Sequence, residues 1–111
     1  MPKPLRWRGD SRAQISDFPM VARVRAGFEL WEVQQGNEPS DSKPLPTVGA
    51  GVSEIRVHAK GEYRVLYVAK FAEAVYVLHA FSKKTQQTSK QDIACAVTRY
   101  RELVEARKRA Q

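Results

Sequence analysis

The side chains most able to do chemistry in this sequence are basic and lie in its second half: Arg56, His58, Arg64, Lys70, His79, Lys83 and Lys84. Arg56 and Arg64 meet on one face if the two segments that carry them pair as a hairpin. Opposed like charges in a sheet are destabilising, so a task such as gripping a phosphate would explain them, because a guanidinium fork matches a phosphate edge. The competing reading leaves each arginine exposed and paired with Glu54 or Glu62. His79 sits mid-strand beside Val77 and Phe81, where a buried, hydrogen-bonded imidazole is as good a reading as a catalytic one. Lys83-Lys84 stands where a strand gives way to a helix, as a solvated exit or as the flank of a groove. Tyr63 and Tyr67 read as core aromatics before they read as stacking platforms for bases.

Other chemistries find no support. His58 and His79 fall on different strands without a nearby cysteine, so no metal-ligand set forms. Gly49-Ala50-Gly51 precedes a strand and not a helix, so it fails the context that nucleotide binding requires. No carboxylate pair for glycoside hydrolysis and no Ser-His-Asp set can be argued. Cys95 is the one cysteine, which excludes an internal disulfide and a Cys-rich zinc site and reads as packing.

The elements that must position these residues follow from periodicity and punctuation. Residues 3–8 alternate enough for a short strand. Asp10 or Ser11 caps a helix over about 11–18 that Pro19 ends, and Pro19 opens a second helix to about Gln35. Val21, Val24, Phe28 and Trp31 form its apolar stripe, and Gly36 stops it. Residues 36–51, with three prolines and three glycines, read as a long irregular loop. Three strands follow, Val52–Ala59, Glu62–Phe71 and Ala74–Ser82, joined by turns short enough for an antiparallel meander. The second sets Tyr63, Val65, Tyr67 and Phe71 against Arg64, Leu66, Val68 and Lys70. The third sets Val75, Val77, His79 and Phe81 against Tyr76 and Leu78. Thr88 with Gln91, and Ser89 with Asp92, are overlapping capping boxes for a last helix to about Lys108, striped by Ile93, Val97, Tyr100 and Val104. Arg107-Lys108-Arg109 reads as a frayed, solvated tail.

The 111 residues make one domain, long enough to bury a core without metals or disulfides. No apolar run reaches the roughly 18–20 residues of a membrane span. No signal peptide is expected behind Met1-Pro2-Lys3-Pro4-Leu5-Arg6, so the expected location is the cytoplasm. The net charge is +7, and it is uneven. Residues 1–51 hold seven basic and six acidic side chains, whereas residues 52–111 hold twelve and six. A basic half on a small domain points to a polyanion or an acidic protein as partner, or only to solubility.

Four motifs stand in order over residues 43–92: Lys43-Pro44-Leu45; Gly51 before Glu54-Ile55-Arg56; Tyr63-Arg64-Val65-Leu66-Tyr67; and His79-Ala80-Phe81-Ser82-Lys83-Lys84-Thr85 with Thr88. Together they resemble the phage-derived, HigB-like branch of the RelE/ParE toxin superfamily. The resemblance implies an α+β, RelE-like fold for residues 1–111: two N-terminal helices, an antiparallel sheet of three to four strands and a C-terminal helix. It implies the toxin of a type II toxin–antitoxin pair, a metal-independent endoribonuclease that cuts messenger RNA, often on the ribosome, with no cofactor. The implied partners are mRNA, the ribosome and a helix-turn-helix, HigA-like antitoxin.

Such cleavage uses the RNA's own 2′-hydroxyl as nucleophile, and needs a base, cations for the phosphate and an acid for the leaving 5′-oxygen. The residues expected to act are Arg64, Lys83, Lys84 and His79, with Arg56, His58, Tyr67 and Lys43 holding substrate. Base and acid stay unassigned among His79, Lys83 and Lys84. Two other readings compete: a ParE-like inhibitor of DNA gyrase, and an RNA- or ribosome-binding module that never cleaves.

Overall fold

The computed structural model describes residues 2–110. The elements run β1 (Leu5–Trp7), α1 (Ser11–Ser16), α2 (Met20–Gln34), β2 (Ser42–Pro44), β3 (Val52–His58), β4 (Glu62–Val68), β5 (Val75–Lys83) and α3 (Lys90–Arg109). They build a five-stranded sheet in the order β1-β5-β4-β3-β2.

This corrects the expected fold class. The sheet is mixed, not a three- to four-stranded antiparallel one, because β1 joins it parallel to β5, with Leu5 opposite Val75 and Trp7 opposite Val77. Two helices therefore do not simply precede the sheet: a strand comes before them and another follows them. The second extra strand lies in the proline-rich stretch expected to be irregular. Lys43 pairs with Glu54 across β2 and β3, and Pro44 with Ser53. A proline is tolerated there because β2 is the sheet edge, where a missing N–H breaks no ladder. β4 also ends at Val68, three residues short of the expected Phe71.

One helical layer covers each face of the sheet. On the first face, Ile15 and Phe18 at the α1 end and Ala22, Ala26, Leu30 and Val33 of α2 pack on Ile55, Val57, Tyr63, Val65, Tyr67, Val75, Val77 and Ala80. The α2 stripe is thus the opposite of the one expected: Val21, Val24, Phe28 and Trp31 are exposed. Ala22, Ala26, Leu30 and Val33 keep helical spacing too, and small residues let the helix axis approach the strands. Periodicity alone could not choose between two apolar faces of one helix. Buried Glu29 accepts the backbone N–H and the hydroxyl of Ser40, both at 2.7 Å, and so ties the loop after α2 back onto the helix.

On the second face α3 buries Ala96 and Leu103 against Val48, Val52, Leu66, Val68, Leu78 and Phe81. Ser89 caps it by accepting from the Asp92 N–H at 3.1 Å, so the second of the two capping boxes is the one used. Gly49 lies under the Tyr100 ring, where an added Cβ would meet ring carbons at 2.5 Å. The Tyr100 hydroxyl donates to the Ala50 carbonyl at 2.9 Å. The Gly-Ala-Gly run is therefore a seat for α3. The basic tail is not frayed: α3 runs through Arg109, and Arg107 grips Glu73 at 2.7 and 3.1 Å over the Phe71 ring. That guanidinium holds the Glu73 carboxyl down at about 2.

Candidate functional site

Strand register decides which side chains can act together. Across β3 and β4, Arg56 stands opposite Arg64 and His58 opposite Glu62. Across β4 and β5, Arg64 stands opposite Phe81, Glu62 opposite Lys83 and Leu66 opposite His79. Cross-strand partners share a face. Lys43, Glu54, Arg56, His58, Glu62, Arg64, His79 and Lys83 therefore all share the α3 face of the sheet.

A bulge creates this arrangement. The β4–β5 register slips between Leu66 and Tyr67, so that Tyr67 faces Val77 while Leu66 faces His79. Leu78 is the extra residue, and it stays buried under α3. An extra residue reverses the alternation beyond it. The expected grouping of His79 and Phe81 with Val75 and Val77 is therefore wrong. The bulge carries His79, Phe81 and Lys83 to the arginine face.

Each cation has definite partners. Arg56 is half-buried and its Nε donates to Glu54 Oε1 at 3.2 Å. Arg64 is buried, 5% exposed, and its Nη1 donates to Glu62 Oε1 at 3.1 Å and to the Tyr63 carbonyl at 3.0 Å. Arg64 Nε is buried with no partner among the described residues. The pairing with Glu54 and Glu62 was legible, because residues two apart in a strand share a face. The burial of Arg64 was not. His58 is exposed and lies between two carboxylates, with Nδ1 2.7 Å from Glu62 Oε2 and Nε2 2.7 Å from Asp41 Oδ2. Asp41 first, then Glu62, raises the imidazole pKa above its ordinary 6.5. His58 in turn lowers both carboxyls.

Lys83 is half-buried and Lys84 exposed. Among the described residues neither has a carboxylate in salt-bridge range. Lys83 is two residues beyond Phe81 on the same face, so its Cα lies diagonally about 7–8 Å from that of Arg64. Both lysines line a hollow of about 200 Å³ with Phe81, Ser82, Thr85, Gln87, Ser89 and Asp92, at the N-terminus of α3. The positive end of that helix adds to the attraction for an anion.

His79 is differently placed from a free acid or base. It is 7% exposed and stacks on Phe81, ring centroids 5.3 Å apart. Arg99 Nη1 lies 3.3 Å from its Nδ1 and Asp92 Oδ1 lies 2.7 Å from its Nε2. An arginine only donates, so Nδ1 accepts and Nε2 donates to Asp92. Arg99 also reaches Asp10 at 2.6 Å, joining α3 to the start of α1. The Cys95 thiol stands 3.8 Å from Nδ1. Sequence reasoning missed Asp41, Asp92, Arg99 and Asp10 in this network, because nothing local marks contacts made across tens of residues.

Two expected substrate-binding residues are peripheral. Lys43 is exposed on the edge strand, in the row of Glu54. Tyr67 lies on the opposite face, 6% exposed within the α2 core, and is not brought to the cations. It borders a separate hollow of about 310 Å³ with Lys3, Gln34 and Glu38. Lys70 points elsewhere, its Nζ donating to the Tyr100 hydroxyl at 3.3 Å.

Among the described residues no group of three or more His, Cys, Asp or Glu side chains could hold a metal ion. None of the described helices is long and apolar enough to cross a membrane. A family model described as Phage derived protein Gp49-like (DUF891) matches residues 13–101. No curated protein matches the chain.

Proposed function

We propose, for a chain that belongs to the phage-derived Gp49-like family, the role of toxin in a type II toxin–antitoxin pair, with metal-independent cleavage of messenger RNA as its activity. The finer placement, in the HigB-like branch of the RelE/ParE toxins, is part of the same proposal. So are translating ribosomes as the setting and a helix-turn-helix antitoxin as the controlling partner. The observation that carries it is the opposition of Arg56 and Arg64, with Lys83 diagonal to Arg64 on the same face of the sheet.

In this reading a scissile phosphate lies over the arginine row, and the guanidiniums stabilise the charge that builds on its oxygens. The 2′-hydroxyl attacks the adjacent phosphorus and gives up its proton. A 2′,3′-cyclic phosphate forms, and the 5′-oxygen leaves with a proton. Lys83 and Lys84 carry the proton transfers, since among the described residues neither has a carboxylate partner. His79, held by Asp92 and Arg99, positions the N-terminus of α3 beside them. Glu62, itself paired with His58, holds Arg64 in place.

One observation favours a second reading, a module that binds RNA or ribosomes without cutting. Both imidazoles of this face are already engaged by carboxylates, and both arginines bond to glutamates. Expression of the chain alone in bacteria, with transcript ends mapped, separates the readings. The proposal expects new ends within coding regions that disappear with Arg64→Ala. Intact transcripts with stalled translation support the binding module. Intact transcripts with arrested replication contradict both.

A further inference from the structure

Five large apolar side chains of α2 stand in solvent: Met20 (68% exposed), Val21 (60%), Val24 (63%), Phe28 (53%) and Trp31 (51%). They share one side of the helix, opposite the Ala22, Ala26 and Leu30 side that meets the sheet. With aromatic side chains at about 150–250 Å² each, their exposed parts come to roughly 500 Å². A single patch of that size on a small domain is a binding surface more often than an accident. It lies on the far side of the sheet from the arginine face, so the site described above does not use it.

We propose that this face pairs with the same face of a second copy of the chain, α2 against α2, antiparallel about a two-fold axis near Phe28. The occupant follows from charge. Arg25 and Glu32 are seven residues apart, about two helical turns, so they flank the stripe on the same side. Among the described residues neither forms an ion pair: Arg25 Nη1 makes one long contact, 3.4 Å to the His58 carbonyl, and Glu32 accepts one of 3.4 Å from Asn37. A two-fold axis across antiparallel helices sets each flank against its own copy. Arg25 of one copy then meets Glu32 of the other, twice. With the axis near Phe28, Val24 and Trp31, also seven apart, come within about one residue of direct opposition in the same pairing, as Arg25 and Glu32 do. A parallel pair would instead bring Arg25 to the level of Arg23 in the other copy, which is repulsive. Two copies would remove about 1,000 Å² from these side chains alone, near the lower bound for a specific interface.

The expected behaviour is a reversible dimer with a micromolar dissociation constant, on the order of such small interfaces. Sedimentation velocity on the full chain, from about 1 to 500 μM, reads it. Phe28→Glu should be monomeric throughout, with an unchanged circular dichroism spectrum because the side chain is exposed. Arg25→Glu and Glu32→Arg should each raise the dissociation constant about tenfold, since each sets like charges together. The double variant R25E/E32R restores two reciprocal pairs and should return to within about threefold of the original. A wild-type chain that stays monomeric overturns the proposal. So does a dimer that Phe28→Glu leaves intact, or a double variant no better than the singles. A stripe covered only when an apolar helix of another protein is added assigns the face to that partner and overturns it equally.

Discussion

Arg64 combines burial, an Nε without a partner among the described residues and a second arginine directly opposite, and the proposed function assigns it to a bound phosphate and not to the stability of the fold. The perturbation is Arg64→Met, which keeps the length of the side chain and removes its charge. The substitution abolishes a buried unsatisfied N–H, a gain of about 1–3 kcal/mol. It removes the like-charge opposition to Arg56, about 0.2–1 kcal/mol. It adds only about 1 kcal/mol of apolar burial, because the methylenes of the arginine are already buried. Against these stand the two Nη1 bonds. The one to the Tyr63 carbonyl is worth about 1.5–3 kcal/mol for a charged donor, and the one to the half-exposed Glu62 is screened by solvent. The net is neutral to stabilising by about 0–2 kcal/mol, as when buried ion pairs elsewhere give way to apolar side chains. Denaturant unfolding followed by circular dichroism measures it. Cleavage of RNA should fall at least about 100-fold in the same variant, the usual cost of one donor to a transition-state charge. A loss of more than about 2 kcal/mol in stability would refute the reasoning, because Arg64 would then be holding the fold together.

Four further outcomes are expected. Leu30→Ala, at a site 1% exposed, should cost about 2–5 kcal/mol, while Phe28→Ala should change the stability of the monomer by less than about 0.5 kcal/mol; equal costs would mean α2 is turned the other way. The raised His58 pKa makes its contribution complete below its ordinary value of 6.5 and lost as pH rises through the folded value, whereas the lowered carboxyls of Asp41 and Glu62 contribute above their ordinary 3.8 and 4.5 and lose this as pH falls through their folded values. Unfolding measured from pH 3 to 9 should therefore show its greatest His58-dependent stability between those ranges, and His58→Gln should flatten the alkaline side. Ser89→Ala removes the α3 cap and should cost about 0.5–2 kcal/mol by denaturant unfolding. Deleting the Glu73 carboxylate by Glu73→Gln should release Arg107 and raise amide exchange in the last turn of α3, with exchange unchanged near Ser89.

What the sequence disclosed follows from how local each signal is. Prolines, caps and short turns placed α1, α2, α3 and the three long strands within a few residues, because those signals act over three or four positions. Alternation also placed Arg56 and Arg64 on one face and Glu54 and Glu62 beside them. Three features needed tertiary information. The strand at residues 3–8 was legible, but its parallel place beside β5 was not, and β2 exists only because β3 offers a free edge. The bulge at Leu78 reverses the faces of His79 and Lys83, and no residue type marks it. The choice between the two apolar sides of α2 depends on how closely the helix lies to the sheet. The last two govern the candidate site and the exposed stripe of α2, so the candidate residues were legible as types before they were legible as a place.

The proposed cutting of RNA by the Arg56, Arg64 and Lys83 face is decided by its products. The most direct measurement incubates the purified chain with messenger RNA, with and without translating ribosomes and in excess chelator, and sequences the new ends. The proposed cleavage gives 5′-hydroxyl ends facing 2′,3′-cyclic phosphates, lowered at least about 100-fold by Arg64→Ala and by Lys83→Ala in folded protein. Uncut RNA under every condition, or cutting that survives both substitutions, would contradict it.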